Sequence, residues 1–107
     1  MTTVDLIGTF SGMSAELITR LKDVTLEGDI IELVVWRLPE PVPPSGHCYK
    51  YRLVYVRNGR RLIGFDNERG KGDHCHIGGK EHPYRFSGPE QLIEDFIEEV
   101  QRCRNAD

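Results

Sequence analysis

No stretch of the 107 residues approaches the roughly 20 consecutive apolar positions that cross a bilayer, so no membrane contact is expected. The opening "MTTVDLIGTF" lacks the basic n-region and long apolar h-region of a signal peptide, and the expectation is a cytoplasmic protein. Cysteine is scarce. Cys48, Cys75 and Cys103 are odd in number and form no CxxC pair, so a disulfide framework is not expected and the thiols should be reduced. Internal repeats, low-complexity tracts and the usual Cys/His finger spacings are all missing. The chain is too short for two ordinary domains, and residues 1–107 are expected to form one.

Charge is present but unevenly placed. Between residues 50 and 85 there are nine basic side chains against four acidic ones, while the remainder carries five basic and thirteen acidic residues. A basic segment on an otherwise acidic chain suits an anionic ligand such as RNA, because phosphate attraction acts locally. The plainer reading is a solvated sheet face whose Lys and Arg stems cover apolar surface.

Hydrophobic spacing gives the elements. Ser14 can cap a short helix ending near Lys22, with Met13 and Ile18 as a staple and Leu17, Ile18 and Leu21 on one face. "VTLEGDIIELVVWRL", residues 24–38, reads as at least one long strand, with Gly28-Asp29 as a turn or bulge. "PEPVPPSG", residues 39–46, has four prolines and is a stiff loop between strands. "YKYRLVYVR" and "RRLIGFD" flank Asn58-Gly59, a type I′ hairpin signal. Counting outward from that turn sets Tyr55 against Leu62 and Tyr51 against Asp66. "HPYRF" follows as a short edge strand beginning at Pro83. Ser87 and Glu90 then form a capping box for an amphipathic helix with Leu92, Ile93, Phe96, Ile97 and Val100 on its buried face, running to about Arg104. The expected fold is α+β: a short N-terminal helix, a mostly antiparallel sheet of about four strands, and a C-terminal helix packed on the sheet.

"GFDNERGKGDHCHIGG…YRFSGPEQLIEDF" resembles the TumE family of bacterial toxin components from toxin-antitoxin pairs. The likeness runs over residues 48–104: a tyrosine-rich hairpin, an aromatic-Asp-Asn at its end, clustered histidines and a final amphipathic helix. The family's Pro-His-His after Asp-Asn is not present here. The resemblance implies a protein encoded beside a DNA-binding antitoxin, with nucleic-acid cleavage as its activity, and it marks Asp66, Asn67, His74 and His76.

The residues themselves allow three readings of "GDHCHIGG". His74 and His76 face the same way in an extended segment, so both imidazoles can address one substrate or one metal ion. His82, Asp66, Asp73 or Cys75 would complete a metal site, although Cys75 points away from the histidines. A loop or surface role without chemistry is the third reading. Acid-base chemistry is preferred, with neither metal nor cofactor expected. RNA cleavage needs a base for the 2′-OH proton, an acid for the leaving 5′-oxygen and cations for the phosphate. His74 and His76 supply the first two, with Asp66 orienting them. Tyr51, Arg61, Asn67, Arg69, Lys71 and Lys80 are the candidate nucleic-acid contacts. The cognate antitoxin, RNA and a second copy of the chain are the expected partners, and a non-catalytic binding module is the alternative function.

Overall fold

Asn58 and Gly59 both take left-handed angles, φ 53° and 76°, as a two-residue type I′ turn demands. The strands they join form the middle of the sheet. The computed structural model describes residues 14–106, in which six strands run in chain order as an antiparallel meander. They are β1 (Glu16–Val24), β2 (Ile30–Arg37), β3 (Tyr49–Arg57), β4 (Arg60–Glu68), β5 (Gly72–Ile77) and β6 (Lys80–Pro83), followed by the helix α1 (Pro89–Asn105).

The α+β class holds, with corrections. Residues 16–24 are a strand where a helix was expected, and Met13 of the expected staple lies outside the described residues. Leu17, Ile18 and Leu21 match a helical face, but the segment pairs along its length with β2, from Val24↔Ile30 to Glu16↔Arg37. The β-branched β2 has two ladder edges to satisfy, and that non-local demand overrides a weak local helical preference. The long strand expected over residues 24–38 is thus two strand segments joined by a turn, in which Gly28 takes φ 90° and Thr25 N donates to the Asp29 carbonyl. Six strands replace about four, because the histidine segment is itself β5 and a Gly78-Gly79 turn returns it into β6. Pro83 ends that last strand instead of opening it. The capping box is not formed: Gly88 is the N-cap without a side-chain hydrogen bond, and Pro89, with its preset φ, opens the helix. The proline-rich segment 39–46 is a loop between β2 and β3, as expected.

The hairpin register also differs from a count outward from the turn. Arg57 pairs with Arg60 and Val56 with Arg61, but Tyr55 then pairs with Ile63, leaving Leu62 as an extra residue in β4. Every later pair shifts by one position. Arg52 lies opposite Asp66, and Tyr51 falls on the other face of the sheet from Asp66.

One face of the sheet carries Leu33, Val35, Tyr51, Leu53, Tyr55, Ile63, Phe65 and Cys75, all buried against Leu92, Phe96 and Val100 of α1. Phe65 meets Phe96 and Tyr84 edge to face, with ring centres 6.2 and 5.0 Å away. The opposite face has no helix over it among the described residues.

Candidate functional site

That second face gathers the chemistry. Strand alternation sends Asp66 on β4 and His74 and His76 on β5 to it, while Asn67, Asp73 and Cys75 go to the helix side. Asp66 pairs directly with His74, and Gly64 with His76. The absence of a side chain at Gly64 matters, because the Arg61 chain lies across that position, 3.0 Å from where a Cβ would stand. The Gly78-Gly79 turn then sets Glu81 opposite His76 and Pro83 opposite His74.

His74 is buried, 4% exposed, and its ring is held from both ends. Nδ1 lies 3.0 Å from the Gly72 carbonyl, which can only accept, so Nδ1 carries a proton and donates it. Nε2 lies 2.5 Å from Asp66 Oδ1, an approach that needs a proton on one of the two atoms. That carboxylate oxygen is itself buried, and its contact with His74 Nε2 lacks regular hydrogen-bond geometry.

His76 is the accessible member. Its ring stands edge-on to that of His74, with centres 5.6 Å apart, and its Nε2 is 3.8 Å from Glu81 Oε1. Burial holds its imidazole below the ordinary value, and Arg61 adds to the effect against the opposing pull of Glu81. Lys71 Nζ lies 2.9 Å from Glu81 Oε2, which raises the ammonium and lowers the carboxyl through their hydrogen bond. Beside the cluster is a cleft of about 220 Å³ lined by Val34, Trp36, Lys50, Tyr51, Arg52, Asp66 and Glu68. The Lys50 ammonium bonds the Asn67 carbonyl, and burial lowers its pKa against the attraction of Asp66.

The other candidates are dispersed. Arg69 and Lys71 lie in the β4–β5 turn and Lys80 opens β6, all exposed. His82 pairs with Cys75 and so points away from His74 and His76. Tyr51, 1% exposed, and Asn67, 0% exposed, belong to a network on the helix side. There Asp73 accepts from the Tyr51 hydroxyl at 2.6 Å, from Ser45 Oγ at 2.5 Å and from His47 Nε2 at 2.7 Å. Burial raises the Asp73 carboxyl, but these three donors outweigh it and the net shift is downward. Asn67 bonds Tyr51 N, the Tyr49 carbonyl and Ser45 Oγ, and His47 stacks on Phe86 at 3.9 Å. This network pins the proline loop to the sheet and places Tyr51, Asn67 and Asp73 away from the histidine pair.

Glu81, Trp36, Lys50 and Arg52 were not singled out from the sequence. Glu81 had a usable signal, since Gly-Gly between extended runs is a hairpin turn and sets the residues two positions to either side opposite each other. Three ligand-type atoms, one each from His74, His76 and Glu81, lie within 4.8 Å of one another, so these residues are able to hold a metal ion. No helix among the described residues is long and apolar enough to cross a membrane.

A search of the curated proteins and of the solved structures gave no match. The family model described as "Toxin TumE" matches residues 10–104, nearly the whole chain, including every residue of the histidine cluster. The chain therefore belongs to the TumE toxin family, the toxin side of a toxin-antitoxin pair.

Proposed function

We propose that this toxin is a metal-independent endoribonuclease working at Asp66, His74 and His76. The observation that carries the reading is the convergence of these three groups from two adjacent strands onto a sheet face with no helix over it among the described residues, with Arg61 alongside. Neutral His76 takes the proton from a ribose 2′-OH as the 2′-oxygen bonds to phosphorus. The bond from phosphorus to the 5′-oxygen breaks, and the proton held between His74 and Asp66 passes to that oxygen. The products are a 2′,3′-cyclic phosphate and a 5′-hydroxyl, and water resets the protons. Arg61 and Lys71 stabilise charge on the phosphoryl oxygens, and Trp36 with Lys50 and Arg52 offers a stacking and cationic surface for the flanking nucleotide. Arg69 and Lys80 extend the basic track at the strand turns.

The test is incubation of the protein with single-stranded RNA in excess EDTA. Cleavage retained in chelator and lost in the His74→Ala/His76→Ala variant is the expected result. Tight RNA binding with no cleavage overturns the reading. Tyr51→Phe separates the two polar clusters: removing the hydroxyl from Asp73 is expected to cost about 1–3 kcal/mol in a urea melt while cleavage by the folded protein stays within about twofold. A large loss of turnover in that variant would place Tyr51 in the chemistry.

A second reading, a non-catalytic docking module, is favoured by the β1 edge. Its Leu17, Ile18, Leu21 and Val24 are between 41% and 59% exposed, apolar side chains on an edge strand that pairs on one side only among the described residues. Membership of a toxin family implies a cognate antitoxin partner, and a second copy of the chain is the alternative occupant. A strict monomer at high micromolar concentration, unchanged by co-expression with the antitoxin, would remove both.

A further inference from the structure

Asp66 Oδ1 is a buried carboxylate oxygen held 2.5 Å from His74 Nε2 without regular hydrogen-bond geometry. Buried acceptors in folded proteins are normally satisfied by regular hydrogen bonds, and one that is not calls for a reason, a bound ion being a common one. The ligand-type atoms of His74, His76 and Glu81 lie within 4.8 Å of one another, and Glu68 Oε1 stands 4.0 Å from His74 Nε2. The supports around these groups have the form metal sites use. His74 donates Nδ1 to the Gly72 carbonyl, which fixes the tautomer that leaves Nε2 for a ligand. Lys71 holds one oxygen of Glu81 at 2.9 Å, and the other oxygen turns toward His76 Nε2.

We propose that His74, His76 and Glu81, with Asp66 beside them, form a binding site for a borderline transition metal ion, Zn²⁺ by its chemistry, and that the loaded protein is the silent form of the toxin. Two imidazoles with carboxylates select zinc over magnesium or calcium, which prefer all-oxygen shells. Ligands at about 2.1 Å from a tetrahedral zinc stand roughly 3.4 Å apart, so the cluster closes by about an ångström. Glu81, exposed at the start of the edge strand β6, supplies that movement by a rotamer change. Silencing rests on the proposed cleavage mechanism: the metal takes the Nε2 lone pair that His76 needs as a base, and its positive charge drives off the proton that His74 and Asp66 hold for the leaving group. Binding rests on the geometry alone.

The experiment uses the full chain, stripped with EDTA and dialysed. Zn²⁺ is titrated in competition with a chromophoric chelator, and Co²⁺ is added to a second sample while visible absorption is recorded. The expected result is one equivalent bound, with the strong visible bands of low-coordinate Co²⁺, and RNA cleavage lowered at least tenfold at that equivalent. His76→Ala and Glu81→Gln weaken zinc affinity by about tenfold or more, and His82→Ala leaves it unchanged. Because Glu81 is exposed, its variant keeps the fold and the comparison stands even if His76→Ala melts early. Absence of stoichiometric binding, or equal affinity in parent and Glu81→Gln, overturns the site. Cleavage that requires zinc overturns the silencing. Stripped protein that binds zinc but never cuts RNA refutes the cleavage mechanism and the silencing with it, while the isotherm still decides the site.

Discussion

His76→Ala is expected to lower RNA cleavage by about 10²–10⁴-fold, the usual worth of a positioned general base, with little change in melting temperature. Both halves follow from its placement. His76 is half-buried on the sheet face opposite α1, near Glu81 and Arg61, and is not one of the residues of the apolar core. The matching control is His82→Ala, which sits on β6 opposite Cys75 and points away from the cluster, so its turnover should stay within about twofold of the parent. A change in that variant comparable to His76→Ala would show that proximity in sequence, and not shared sheet face, governs the chemistry. His74→Ala is expected to differ from both. It removes the partner of a buried carboxylate as well as a catalytic proton, so stability falls together with rate. Rates measured at equal folded fraction by single-turnover kinetics, beside a thermal melt, separate these outcomes.

Phe96→Ala is expected to remove about 3–5 kcal/mol of stability, the range for deleting a buried aromatic side chain. Phe96 is 0% exposed in the middle of α1, and its ring meets Phe65 on β4 edge to face. α1 packs on the sheet through Leu92, Phe96 and Val100, so the cavity opens at the centre of the only helix-to-sheet contact among the described residues. Against a typical total of about 5–15 kcal/mol, such a loss leaves the fold marginal. The melting temperature should drop by about 15 °C or more. A drop of less than about 4 °C would mean that α1 contributes little to holding the sheet, and that the surface behind the histidine cluster is supported by something else.

Much of this arrangement was legible in the sequence, and the reasons differ by element. Asn58-Gly59 is a local signal with a strict backbone requirement, and it marked the hairpin correctly. Leu92, Phe96 and Val100 recur at helical spacing with an acidic outer face, and the helix ran close to its expected length. Strand alternation alone was enough to send His74 and His76 to one face and Cys75 to the other. What could not be read locally was pairing. β1 is a strand because β2 lies beside it, and nothing within residues 16–24 announces that neighbour. The extra residue Leu62 is invisible to a count from the turn, yet it decides which face Asp66 takes relative to Tyr51. The expected contact between Tyr51 and Asp66 became two separate clusters on opposite faces for that reason. His47, the proline loop and Asp73 meet across the β2–β3 connection, a contact between residues 26 apart in the chain that no spacing rule anticipates. Glu81 is the exception, since its place opposite His76 follows from Gly78-Gly79.

The proposed chemistry stands or falls on the nucleophile it names. The most direct measurement takes a short single-stranded RNA, maps the linkage that the metal-stripped toxin cuts, and repeats the reaction in EDTA with one 2′-deoxy nucleotide placed on the 5′ side of that linkage. If His76 activates the adjacent 2′-OH, the substituted linkage stays uncut while other linkages are cleaved as before, and the products of the unmodified RNA end in a 2′,3′-cyclic phosphate. Cleavage of the substituted linkage at an undiminished rate, or products ending in a 3′-hydroxyl, would contradict it.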